Sequence, residues 1–179
     1  ASVECQYREA VGALMYAQCT CRPDIAYIVN RLARYSSNPG KAHWTAVKRV
    51  LKYLKGTPHK GLRYKRRKTK SVDIESALNK QELTLCTDSD YQRDVYSTSG
   101  YLIYLNDMLV DWGSTKQTAV AQSTCEAEFM AGCLGCKRAK FLAKVLNELK
   151  NKLSPQSDMK QSQKHKPYTW KMSSREEIG

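Results

Sequence analysis

The sequence predicts an α+β fold in two modules: helices first, then an antiparallel meander whose last strand feeds a long helix. Three observations carry this. Residues 7–55 hold three stretches of apolar residues at helical spacing, punctuated by Pro, Gly and Asn. From Leu83 the pattern changes to alternating, β-rich runs joined by a turn at Asn106-Asp107. From Thr124 a helical period returns and holds to about Leu153.

Composition sets the bounds. A chain of 179 residues with 41% hydrophobic content suffices for one ordinary domain or two small ones with a real core. No apolar run approaches the roughly 18 residues of a membrane span, and no signal peptide opens the chain, so no membrane partner is expected. The first residue is Ala, which fits a processed chain or a piece of a longer one. Seven cysteines, an odd number, lack the spacing of a secreted disulfide framework. They read as reduced, intracellular thiols. Cys19 and Cys21 form a CxC and Cys133 and Cys136 a CxxC. A zinc site from both pairs is one reading, and small buried thiols are the preferred one.

The net charge is +13, and its distribution says more than its total. From Lys41 to Lys70 there are 12 Lys or Arg and no acid. From Leu85 to Glu128 there are seven acids and only Arg93 and Lys116 as bases. A basic arm beside an acidic centre suits a metal site next to a polyanion track. The bland alternative is a solvated, charged surface.

Each element has its own signals. Tyr7 to Thr20 reads as a helix with Val11, Leu14 and Met15 on one face. A second helix starts at Pro23, carries the stripe Ile25, Ile28, Val29 and Leu32, and stops at Asn38-Pro39-Gly40. A third spans about Ala42 to Lys55, with Trp44, Val47, Leu51 and Leu54 as its apolar face. Lys41, Lys48, Lys52 and Lys55 fall on its other side, with Arg49 beside them. These five are the candidate nucleic-acid contacts. Gly56 ends the helix. Gly61 to Lys65 reads as a short strand, and residues 66–82 as a tether. Strands are then expected from Leu83 to Asp88, Tyr101 to Leu105, Met108 to Trp112 and Thr118 to Ala121. The last helix draws its core stripe from Leu134, Phe141, Leu142, Val145 and Leu149. Residues 154–179 lack apolar alternation and read as a disordered or poorly packed tail.

The first strand run ends in Asp88 and Asp90, and the last helix opens with Glu126 and Glu128. Carboxylates beside apolar strands are costly unless compensated, and a divalent cation is the usual compensation. Ser123-x-x-Glu126 has capping-box spacing, so Glu126 has a structural explanation. Glu128 does not, which makes it the functional candidate alongside Asp88.

Several ordered strings resemble the Pol polyprotein of copia-type LTR retrotransposons: YREAVGALMY, CRPDIAYIVNRLARYSSNPGKAHWTAVKRVLKYLKGT, TDSDY, STSGYLIYL, WGSTKQTAVAQST and EAEFMA. The resemblance covers about Tyr7 to Leu149. It implies that residues 1–65 are the helical C-terminal tail of a reverse transcriptase. It implies that residues 83–153 are an incomplete ribonuclease H-like domain, whose mixed sheet begins with three antiparallel strands and is flanked by helices. The implied chemistry is hydrolysis of RNA in an RNA–DNA hybrid by two Mg²⁺ about 4 Å apart, with Mn²⁺ as a substitute. Asp88 matches the first-strand catalytic aspartate and Glu128 the helix glutamate; Asp90 takes the neighbouring acid's place as a further metal ligand. The implied partners are the hybrid and the remainder of Pol, in a cytoplasmic virus-like particle or the nucleus. The chain departs from the pattern after its glutamate helix. The family continues with a strand ending in Asp-Asn and later a His-x-Asp. Here Asp158 has no strand before it, and His165 is followed two residues on by Pro167. The resemblance therefore implies impaired catalysis, or a decayed or domesticated relic that binds nucleic acid without turnover.

Overall fold

The computed structural model describes residues 3–65, 82–91 and 95–153. They divide into two compact units, one built on the N-terminal helices together with Gly113–Thr115, the other on the rest of a three-stranded sheet and a long final helix. The α+β order expected from the sequence is the one observed.

In the first unit, α1 runs Val3–Thr20 and α3 runs Lys41–Gly56. Between them Pro23–Ile25 forms a 3₁₀ turn that leads into α2, Ala26–Ala33. Pro23 suits that first turn because its missing N–H has no helical partner to lose. The helix ends at Ala33, earlier than the expected stop at Asn38-Pro39-Gly40, and residues 34–38 continue as turns. The core gathers Tyr7, Val11 and Leu14 of α1, Ile25, Val29 and Leu32, and Val47 and Val50 of α3. Met15, expected on the α1 face, is exposed. The stripe runs 7, 11, 14, which is the 3.6-residue period, and Met15 lies one step off it. Leu51 is exposed for the same reason, and Val50 takes its place. The buried Tyr7 hydroxyl donates to Leu32 O at 2.9 Å, and burial raises its pKa.

A polar clamp completes this unit. Arg22 is buried between α1 and the 3₁₀ turn. Its Nε and Nη2 donate to the two Asp24 carboxylate oxygens at 3.0 and 2.8 Å. Its Nη1 donates to Thr57 O at 3.0 Å and its Nη2 to Thr57 Oγ1 at 2.8 Å. The Tyr53 hydroxyl donates to Asp24 Oδ2 at 2.9 Å. The entry to α2 is thereby fastened to the end of α3. The Arg22 hydrogen bond holds the Asp24 carboxyl below its ordinary pKa, against the opposing effect of burial.

The sheet contains β1 (Leu83–Asp90), β2 (Thr98–Leu105) and β3 (Met108–Lys116), in spatial order β1-β2-β3. β1 and β2 pair antiparallel from Leu83↔Leu105 to Asp90↔Thr98 without a bulge. Asn106 and Asp107 connect β2 to β3 with φ of 50° and 63°, the left-handed pair of a tight hairpin turn. Two expected strands are absent: residues 61–65 and 118–121 are irregular. The Tyr64 hydroxyl donates to Leu109 O, so this segment is tied by a side chain and not by a ladder.

Helix α4 spans Thr124–Leu153, as expected, but it packs on a different stripe. Its buried residues are Ala127, Ala131, Gly135, Ala139 and Ala143, one every four positions. Phe141 and Leu149 are exposed, while Leu142 borders the core. Small residues let the helix backbone approach the sheet. A Cβ on Gly135 would lie 2.6 Å from Thr87 Cγ2 and 2.8 Å from Leu85 Cδ1. The core beneath is Leu83, Leu85 and Ile103 with Ala139 and Ala143.

The expected tether (66–82, Glu82 apart) and tail (154–179) lie outside the described residues, as do Arg93, Asp158, His165 and Pro167. No described helix is long and apolar enough to cross a membrane. Of the thiols described, Cys86 is buried, whereas Cys19, Cys21, Cys125, Cys133 and Cys136 are exposed, so among these the buried-thiol reading holds for Cys86 alone.

Candidate functional site

The carboxylate site forms where β1 ends and α4 begins. Continuous pairing along β1 sets strict alternation of its side chains. Leu85 and Thr87 face α4, since both crowd Gly135. Asp88 and Asp90 therefore share the other face with Cys86. Asp88 is exposed and Asp90 is half-buried. Across the ladder Asp88 stands opposite Gly100, which adds no side chain there.

Helix α4 delivers its glutamates through its cap. The Ser123 Oγ accepts the Glu126 N–H at 3.2 Å, and Glu126 Oε2 accepts the Gln122 N–H at 2.7 Å. Glu126 is thus absorbed by the helix start, as its spacing implied. Glu128 is exposed, and its Oε1 accepts the backbone N–H of Ser89 at 3.2 Å. The structure therefore brings Glu128 to the residue that follows Asp88, from 39 positions away in sequence. The Tyr91 hydroxyl adds a second link, donating to Gln122 O at 3.1 Å.

A further residue, which the sequence does not signal, holds this junction. Gln117 lies just past β3, is buried, and donates from Nε2 to Ser99 Oγ and to Ala127 O, both at 2.9 Å. Its own N–H donates to Ser97 O at 2.8 Å.

Hard oxygen donors such as Asp88, Asp90 and Glu128 suit Mg²⁺ in kind. They do not suit a two-ion centre in number. Among the described residues no three His, Cys, Asp or Glu side chains form a group able to hold a metal ion. The site is a helix acid, Glu128, with one oxygen engaged by the Ser89 amide, at the end of the strand that carries Asp88 on its other face.

The basic candidates sit in the first unit. Lys41, Lys48, Arg49, Lys52 and Lys55 are all exposed on α3. The four lysines, seven, four and three residues apart, form one stripe about 21 Å long at 1.5 Å per residue. The Lys48 ammonium also lies 5.8 Å from the Trp44 ring centroid.

Comparison with known proteins sets this architecture among transposon-encoded proteins. The chain is 38% identical over 149 residues to the retrovirus-related Pol polyprotein from transposon RE2 of Arabidopsis thaliana, covering 83% of this chain. It is 38% identical over 146 residues to the Pol polyprotein from transposon TNT 1-94 of Nicotiana tabacum. The chain belongs to the retrovirus-related Pol polyproteins of copia-type transposons. It spans 10% of the length of each of these two relatives. It is also 42% identical over 128 residues to the secreted RxLR effector protein 161 of Plasmopara viticola, covering 70% of this chain and 82% of that protein. No family model and no solved structure matches it.

Proposed function

We propose that this chain is the reverse-transcriptase tail and ribonuclease H-type module of a copia-type Pol polyprotein, which holds an RNA–DNA hybrid but is impaired in hydrolysing its RNA strand. The observation that carries the reading is the Glu128 carboxylate seated on the Ser89 amide, next to Asp88. A helix acid held by backbone at the end of the strand that carries Asp88 is the kind of arrangement from which metal-assisted phosphodiester hydrolysis draws its ligands. The reading of impairment rests on the sequence after α4, which departs from the family's Asp-Asn and His-x-Asp pattern. Mg²⁺ or Mn²⁺ is the cation that hard oxygen donors such as Asp88, Asp90 and Glu128 would take in kind, but the three do not come together as one ligand set among the described residues. They are too few for two ions, so no hydrolytic step is derived through them. The partners on this reading are the hybrid and the rest of Pol, in a virus-like particle or the nucleus.

The α3 lysine stripe supplies the affinity. Each lysine that neutralises a phosphate releases a counterion, which makes binding fall with salt. A relic that binds without turnover is the alternative, and the same departure favours it over a fully active enzyme. The test of the binding claim is fluorescence anisotropy of a labelled hybrid across salt concentration. Four lysine contacts give a slope of about −3.6 in log K against log[salt]. Replacing Lys41, Lys48, Lys52 and Lys55 by Ala should flatten that slope. An unchanged slope in the folded variant would remove α3 from the interface.

A further inference from the structure

We infer that Gln117 is the positioning residue of the carboxylate site: its side-chain amide fastens the first turn of α4 to the β1–β2 ladder and so sets where Glu128 stands relative to Asp88. This rests on the reading of Asp88 and Glu128 as the functional acids, and extends it to a residue outside that pair.

The geometry is specific. Gln117 Nε2 bridges two elements, Ser99 Oγ on β2 and Ala127 O in the first turn of α4. Ser99 is the ladder partner of Ser89, whose amide holds Glu128. Ala127 directly precedes Glu128. One amide nitrogen therefore links the strand position opposite Ser89 to the helix position before Glu128. The Ala127 carbonyl only accepts, so Nε2 must face it and the amide has one possible orientation. The other end of the amide makes no compensating bond among the described residues: Oε1 is buried and finds no hydrogen-bond partner there. A buried acceptor without a partner is costly, so the residue is placed for its donor. Further along, α4 is buried at Ala131, Gly135, Ala139 and Ala143. These set how close the helix lies to the sheet. At the first turn, where Glu128 projects, Gln117 is a polar tie that fixes position as well as distance.

The test reads the Ser89–Glu128 hydrogen bond itself, by ¹H–¹⁵N chemical shift and hydrogen exchange of the Ser89 amide. It needs neither metal nor cleavage, so it stands whether or not the chain hydrolyses hybrid. Glu128→Gln, which removes the charged acceptor, provides the reference displacement. Gln117→Met keeps the volume and burial but removes both donated bonds. We expect it to move the Ser89 amide in the same direction as Glu128→Gln. Exchange protection at Ser89 should fall about tenfold or more, the equivalent of losing a charge-assisted bond. Amides in the middle of β1 should keep their shifts. The milder Ser99→Ala removes one of the two acceptors and should move the same resonance less. A Ser89 amide that overlays the parent's in either folded variant would overturn the inference. A Ser89 amide that moves with Gln117→Met while hybrid binding and cleavage ignore Asp88 and Glu128 would leave the positioning intact and refute the functional reading.

Discussion

Gly135→Ala should destabilise the sheet unit, although alanine is the better helix former. The added Cβ would meet Thr87 Cγ2 at 2.6 Å and Leu85 Cδ1 at 2.8 Å. Carbon pairs prefer about 3.5–4.0 Å, so the shortfall is about 1 Å at two points. Leu85 is buried and Thr87 is β-branched, so neither yields freely. Overpacking of this kind costs about 1–3 kcal/mol. Against it stands the helix preference of Ala over Gly, about 1 kcal/mol. The net expectation is a loss of up to about 2 kcal/mol, at roughly 4–8 °C in Tm per kcal/mol for a unit of this size. Urea unfolding followed by circular dichroism measures it. Thr87→Ser deletes the Cγ2 that makes the shortest contact, so the double variant should recover part of the loss. A Gly135→Ala variant more stable than the parent would refute the close approach of α4 to β1.

Gly12→Ala is the matched control: nothing lies within 4 Å of its added Cβ in α1, so a gain of about 0.5–1 kcal/mol is expected in the same unfolding assay. Asp24 has its folded pKa lowered, chiefly by the Arg22 hydrogen bond. Its contribution is therefore complete above the unfolded value near about 3.9 and is lost as pH falls through the folded value. Asp24→Asn should be less stable than the parent near neutrality, and should lose less stability on acidification below about pH 4, as urea midpoints at several pH values will show. Asp107→Gly should stabilise the β2–β3 hairpin by about 0.5 kcal/mol, because Asp107 sits at φ 63° in a turn that favours Asn-Gly; thermal melts compare the two.

The parts of this fold legible in the sequence are those written in large apolar residues and turn chemistry. Tyr7, Val11 and Leu14 sit at helical spacing, Leu83 and Leu85 alternate, and Asn106-Asp107 turns a hairpin. Phe141 and Leu149, the large apolar residues expected in the α4 stripe, are exposed, because burial on this helix follows small residues at regular spacing. The available signal was small residues at 127, 131, 135, 139 and 143. Thr118 to Ala121 has strand-like composition but forms no ladder, since β propensity acts only where a partner strand stands. The capping-box spacing accounts for Glu126, whose N–H is accepted by Ser123 Oγ. Two long-range polar features were invisible. The Arg22 clamp joins residues up to 35 apart, and Gln117 bonds to Ser99 across 18 positions. Nothing local marks either one, because their partners are chosen by tertiary packing.

The most direct test of the central claim is single-turnover cleavage of a 5′-labelled RNA–DNA hybrid in Mg²⁺ and in Mn²⁺, beside Asp88→Asn and Glu128→Gln. The account predicts that the parent binds the hybrid in a salt-dependent manner, with cleavage weak or absent in Mg²⁺. Any residual cleavage in Mn²⁺ should be lost in both variants. Efficient Mg²⁺-dependent cleavage that survives Asp88→Asn and Glu128→Gln would contradict it, because the reacting site would then lie elsewhere in the chain.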